Sequence, residues 1–214
     1  MNTNTPTPLL ICIGRQLGSG GLSVARTLAE RFGCKLYDKE LLNLAAKESG
    51  FSEKFFEQND EQKGFLKSLF HLHAPHIGDN SFYSNGFSQD SLFQFQSDAI
   101  RKAADEGPCV FVGRCADYVL RDKPGMLSIF LTADIDKRVE AVCKRHECDE
   151  QAARKIIADK ESARASFYNF YTGKKWGQAD SYDLCVNTSP LGIEQTAKLI
   201  GDFIELRTSI NRSR

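Results

Sequence analysis

The chain of 214 residues carries no net charge, with 28 Lys and Arg against 28 Asp and Glu. No global field draws it to DNA, RNA or an anionic membrane surface, so general nucleic-acid binding is excluded as a first reading. No apolar run approaches the length of a membrane-spanning helix, and the opening MNTNTPTP has neither the basic nor the apolar region of a secretion signal. Seven cysteines (Cys12, Cys34, Cys109, Cys115, Cys143, Cys148, Cys185) include no C-x-x-C pair and are odd in number. Free thiols in a reducing cytoplasm are therefore expected, with Cys12, Cys109 and Cys185 buried in strands. Hydrophobic residues at 41% and charged residues at 26% exclude a disordered chain. The length suits one large domain, or one domain carrying an insertion.

Five short apolar runs rich in β-branched and aromatic residues read as buried strands: Leu9–Ile13, Lys35–Asp38, Cys109–Gly113, Leu127–Thr132 and Tyr182–Thr188. Helical patterns separate them. Val24, Ala25, Leu28, Ala29 and Phe32 share one face of a helix that Gly33 ends, and further helices are expected over Ala116–Arg121, Asp134–Arg145 and Leu191–Arg207. The alternation predicts an α/β fold of three layers, a five-stranded parallel sheet with helices on both faces. About 70 residues between the second and third strands, Lys39 to Pro108, exceed what a crossover needs. This insertion is expected to open with a helix at Lys39–Ser49 and close with one at Gln89–Glu106. Its middle holds nine of the fifteen Phe, either as a core of its own or as an aromatic groove. Its His71, His73 and His76 lack nearby cysteine or acid and read as bystanders rather than as a metal site.

The segment from Leu9 to Arg26 runs strand, glycine-rich turn, helix. Gly18, Gly20 and Gly21 allow backbone N–H groups to converge on an anion at a helix N-terminus, with Ser19 and Leu22 between and beside them. Ser23 stands where a hydroxyl reaches Mg²⁺ or caps the helix. The alternatives are an ordinary tight turn and a dinucleotide fingerprint, in which Gly18, Gly20 and Asp38 would serve a nicotinamide-dependent oxidoreductase.

Several motifs taken in order resemble the nucleoside monophosphate kinases, most closely the cytidylate kinase-like proteins. They are Gly14-Arg-Gln-Leu-Gly-Ser-Gly-Gly21, Lys35-Leu-Tyr-Asp-Lys-Glu40, Val110-Phe-Val-Gly-Arg-Cys-Ala-Asp-Tyr-Val-Leu120, Ile129-Phe-Leu-Thr-Ala-Asp134 with Arg138, Tyr171-Thr-Gly-Lys-Lys-Trp176 and Tyr182-Asp-Leu-Cys-Val-Asn-Thr188. The resemblance implies a P-loop kinase fold. Its core would be residues 9–38, 109–150 and 179–208, with a helical acceptor-binding insertion at 39–108 and a basic lid at 151–178. It further implies ATP and Mg²⁺ at Gly18, Ser19, Gly20, Gly21, Leu22 and Ser23, with Arg138 beside the nucleotide and Ser23 on the metal. Asp38 and Arg114 would hold a pyrimidine nucleoside monophosphate. The lid helix carries Arg154, Lys155, Lys160 and Arg164, either as a phosphate clamp or as a solvated basic face.

The sequence departs from that pattern at two charged positions. Gly21 occupies the place of the phosphate-loop lysine, and Val112 that of the acid preceding Gly113, with Asp117 one turn on. A lysine about 4 Å from a phosphate, at an effective dielectric near 20, is worth up to about 4 kcal/mol. Arg15, Lys160 and Arg164 are the candidate replacements; without one, the chain would be a nucleotide sensor or partner-binding module rather than an enzyme.

Overall fold

The computed structural model describes residues 8–38 and 86–212. They form β1 (Leu10–Arg15), α1 (Gly21–Phe32), β2 (Lys35–Tyr37), α2 (Gly86–Glu106), β3 (Cys109–Val112), α3 (Ala116–Val119), β4 (Met126–Thr132), α4 (Ile135–His146), α5 (Glu150–Thr172), β5 (Leu184–Asn187) and α6 (Gly192–Arg212). The chain divides into two compact units, residues 1–39 with 100–214 and residues 40–99; the sheet belongs entirely to the first. The insertion's opening helix and its histidine run lie outside the described residues.

All five strands are parallel, in the order β2-β3-β1-β4-β5, as the alternation of elements predicts. β1 is central because its residues have no polar side to turn outward: Leu10, Ile11, Cys12 and Ile13 are all buried. Ile11 and Ile13 face a core built with Val24, Ala25 and Leu28 of α1 and Ala197, Ile200 and Ile204 of α6. Each such side chain contributes about 1.5–3 kcal/mol when fully buried. Leu10 and Cys12 alternate to the opposite face, where α3 packs. Arg31 ties α1 to α6 through Asp202 at 2.8 Å and Glu205 at 2.7 Å, crossing α6 where Gly201 leaves room for it.

The strand order removes the dinucleotide reading. In that fold the acid follows a second strand lying beside β1, whereas here β3 separates the two and Asp38 follows the edge strand β2. Cys185 corrects another expectation: β5 is also an edge strand, its residues alternate in exposure, and Cys185 faces out while Cys12 and Cys109 are buried.

Candidate functional site

The site lies at the carboxyl ends of β1, β2 and β3, where ligands of open α/β sheets bind. Residues 16–20 link β1 to α1 with Gly18 and Gly20 left-handed, at φ 83° and 75°. Gln16 fixes the loop to the end of β4: its N–H donates to Leu131 O at 2.9 Å, and its Oε1 accepts from Ala133 N–H at 3.3 Å. Ser19 is buried with its hydroxyl turned inward, donating to Gln16 O at 2.9 Å, and Thr188 Oγ1 donates to Ser19 O at 3.0 Å. α1 begins at Gly21 without a side-chain cap, so the N–H groups of Gly21, Leu22 and Ser23 have no acceptor among the described residues. Three donors at a helix start suit a phosphate.

Each loop glycine is required by a different neighbour. A Cβ on Gly18 would lie 2.7 Å from Arg138 O and 2.8 Å from Arg138 Cα. On Gly20 it would run into Ile193 Cδ1 of α6, so this glycine serves packing as well as its left-handed backbone. Gly21 has no positive φ; a Cβ there would lie 2.7 Å from Arg15 Cβ and Cγ. The stem of Arg15 therefore covers the position from which a lysine would extend, and its guanidinium runs on to Gly113.

Arg15 meets Arg114 and Arg164 there. Burial, followed by the charges of Arg164 and Arg114, pulls Arg15 down to about 10, and Asp38 partly offsets them. Arg114 and Arg164 are likewise lowered, chiefly by burial. Arg164 reaches in from α5 and donates to Arg15 O at 3.2 Å, while Arg114 lies over the ring of Phe167, 5.6 Å from its centroid. None of the three guanidiniums is ion-paired among the described residues.

The remaining basic residues of α5 point elsewhere. Arg154 pairs with Asp136 at 3.1 Å, and Lys155 and Lys160 are exposed. A helix period explains the split, because Ile157, Glu161, Arg164 and Tyr168 form one inward stripe that leaves Lys160 off it. Arg138 is buried, and its guanidinium is held 2.5 Å from Glu161 Oε1 rather than turned to solvent. The same Glu161 oxygen accepts Leu17 N–H at 3.1 Å. Ser23 is exposed on the first turn of α1, and Asp38 closes the site at the end of β2.

The model of the Cytidylate kinase-like family matches residues 10–190. The chain belongs to the cytidylate kinase-like family. A cytidylate kinase of Pyrococcus horikoshii is 29% identical over 202 residues, covering 92% of this chain and 90% of its own. One from Methanopyrus kandleri is 26% identical over 205 residues, covering 92% and 93%. Among solved structures, an uncharacterized protein from Eubacterium ventriosum superposes with a TM-score of 0.71 at 29% identity, covering 92% of this chain and 98% of its own. Shikimate kinase from Bacteroides thetaiotaomicron, at 12% identity and a TM-score of 0.51 over 92% of this chain and 98% of its own, shares the fold. The protein is thus of the nucleotide-kinase type, and no described helix is long and apolar enough to cross a membrane.

Within this family member, sequence reasoning missed Gln16, Glu161, Tyr168 and Thr188. Gln16 and Thr188 act through side-chain hydrogen bonds to backbone, which no spacing rule reveals. Glu161 and Tyr168 were detectable as polar residues in register with Ile157 and Arg164 on a helix most of whose other polar residues face out.

Proposed function

We propose that the protein transfers a phosphoryl group from ATP to a small acceptor, with a pyrimidine nucleoside monophosphate as the first choice. What supports this most is the convergence of three arginines, none ion-paired among the described residues, beside an uncapped helix start. Burial, and then the like charges, lower the proton affinity of these guanidiniums, so an anion bound among them would be favoured. Two phosphorylated substrates would do so.

In this reading the N–H groups of Gly21, Leu22 and Ser23 bind the triphosphate. Arg114 and Asp38 orient the acceptor, whose phosphate oxygen attacks the γ-phosphorus as the bond to the β–γ bridging oxygen breaks. Arg15 and Arg164 meet the negative charge that spreads over the equatorial oxygens. Lys160, exposed, would join them only by moving inward, and Arg138 would act through the loop that it supports. Magnesium, when bound with ATP, would supply charge neutralisation on the triphosphate. The donor set fits a metal held mostly by phosphate: Ser23 Oγ is exposed near the loop, while Glu161 and Asp117 are engaged by Arg138 and Tyr168.

A sensor that binds nucleotide without turning it over is favoured by two observations, Gly21 at the lysine position and Val112 at that of the acid. A steady-state assay of ADP release with ATP·Mg²⁺ and CMP, UMP, dCMP or AMP separates the two. Acceptor-dependent turnover supports the kinase. Nucleotide binding without ADP release from any of the four supports the sensor.

A further inference from the structure

The turn after β3 is unusual in its backbone. Gly113, Arg114 and Cys115 are left-handed in succession, at φ 80°, 59° and 54°, and only the first is glycine. A left-handed L-residue costs about 1–2 kcal/mol, so something must hold Arg114 and Cys115 in place. Cys115 is buried, which fixes one of them by packing. The other constraint comes from α5. Phe167 supports the Arg114 guanidinium, and the adjacent Tyr168 donates its hydroxyl to Asp117 Oδ2 at 2.7 Å, one turn beyond the strained residues. Tyr168 is itself buried, stacked on Tyr182 with ring centroids 6.2 Å apart, and Tyr182 packs on Phe130 of β4 at 4.9 Å.

Asp117 has no ion-pair partner among the described residues, and the side chain that donates to it is Tyr168, beside the N–H groups of its own turn at Asp117 and Tyr118. A largely buried carboxylate with one side-chain donor is poorly explained by stability, since the pair could be replaced by two apolar groups at little cost. It is well explained by geometry, because a short charge-assisted hydrogen bond fixes α5 against the β3–α3 turn in one register. That register decides where Arg114 stands relative to Arg164, three residues before Phe167 on the same helix.

We propose that Tyr168 and Asp117 are positioning residues that fix Arg114 for the acceptor's phosphate, through the hydrogen bond that registers α5 against the turn at Gly113–Cys115. The inference rests on the reading of Arg114 as an acceptor ligand. It adds a specificity for the acceptor side alone: neither residue touches the phosphate loop, whose own tie to α5 is Glu161.

The test compares Tyr168→Phe and Asp117→Asn with wild type. The double variant Tyr168→Phe/Asp117→Asn removes the buried charge should the first single variant fold poorly. Emission from Trp176, the single tryptophan, which packs edge-on against Phe130 at 5.2 Å, reports the fold of this region. Loss of the hydroxyl, in the single or the double variant, is expected to raise the acceptor KM about tenfold and leave kcat and the ATP KM within about twofold. Asp117→Asn, which keeps an acceptor for the hydroxyl, should hold the acceptor KM within about threefold. Titration with inorganic phosphate by calorimetry supplies a readout independent of turnover and should weaken in parallel with the acceptor KM. An unchanged acceptor KM and phosphate affinity without the hydroxyl would overturn the proposal. So would an equal loss in kcat and both KM values together with altered Trp176 emission, which marks a merely structural role. If wild type turns over none of the acceptors, the kinase reading fails, while a fall in phosphate affinity without the hydroxyl still supports the positioning of Arg114.

Discussion

After β1 the chain turns on glycines, Gly18 and Gly20, whose left-handed backbones cost little; after β3 it turns on Gly113 and then on Arg114 and Cys115, whose left-handed backbones are strained. Both turns leave the same edge of the sheet, and in a phosphoryl-transfer enzyme both would face anions. The difference follows from what each must present. The first offers backbone N–H groups, so side chains are an obstruction, and a Cβ at Gly18, Gly20 or Gly21 would collide with Arg138, Ile193 or Arg15. The second offers a guanidinium, so glycine cannot serve at position 114 and the strain must be held by Phe167, Tyr168 and the burial of Cys115.

Arg15 joins the two turns, with its stem over Gly21 and its guanidinium at Gly113, and its removal should have the largest effect. Arg15→Ala is expected to lower kcat by roughly 2–4 kcal/mol in the barrier, about thirtyfold to a thousandfold, and to raise the ATP KM far less. Steady-state kinetics across ATP at saturating acceptor measure this. Equal losses in kcat and ATP binding would place Arg15 in ground-state nucleotide binding instead.

The glycine turn should break on stability. Gly18→Ala places a methyl against the Arg138 backbone at a φ of 83°, and Gly20→Val strikes Ile193 at a φ of 75°. Each is expected to cost about 2–4 kcal/mol, a fall in Tm of roughly 5–15 °C for a chain of this size. Lost nucleotide binding in Gly20→Val therefore reflects displaced α6 as much as blocked phosphate, and thermal melts without ligand show it. A melt like that of wild type would mean that Ile193 yields freely.

How much of this was legible varies with the kind of constraint. The inner strands β1, β3 and β4 followed from apolar runs, because burial on both faces writes itself as uninterrupted apolar residues, and the parallel pairing of all five followed from the intervening helices. The glycine turn between β1 and α1 was legible from glycine spacing, and the place of Arg114 from a strand end. The direction of α5 was less so: charge counting grouped Lys160 with Arg164, while the stripe Ile157, Glu161, Arg164 and Tyr168 shows that packing decides which cation turns inward. That Arg15 stands in for a lysine is an expectation from the sequence, whereas its path over Gly21 is a tertiary fact.

The strained turn should respond in the opposite sense to the glycine turn. Arg114→Gly removes an unfavourable left-handed side chain at a half-buried position while losing the stacking on Phe167. The two terms are of similar size, about 0.5–2 kcal/mol each, so Tm should stay within roughly 4 °C of wild type. Acceptor binding should nevertheless weaken by tenfold or more, which an acceptor titration checks. A large loss of stability would mean that Arg114 is a structural residue.

The smallest effect concerns Asp117. Burial raises its carboxyl above the ordinary range, and the hydrogen bond from Tyr168, which lowers it, does not fully compensate. Between the unfolded and folded values the native state holds more protons than the unfolded chain, so stability falls as pH rises through that interval. The charged form at neutral pH is therefore a net cost to the fold. Asp117→Asn keeps a hydrogen-bond acceptor without the charge, and should be more stable than wild type at pH 7 by up to about 1 kcal/mol. That advantage should vanish at low pH, where Asp117 is neutral in both states. Denaturant titrations of the two proteins from pH 7 downward give the difference directly. A variant less stable than wild type at pH 7 would show that the Tyr168 hydrogen bond outweighs burial, and that this corner of the site is held together by the charge it shelters.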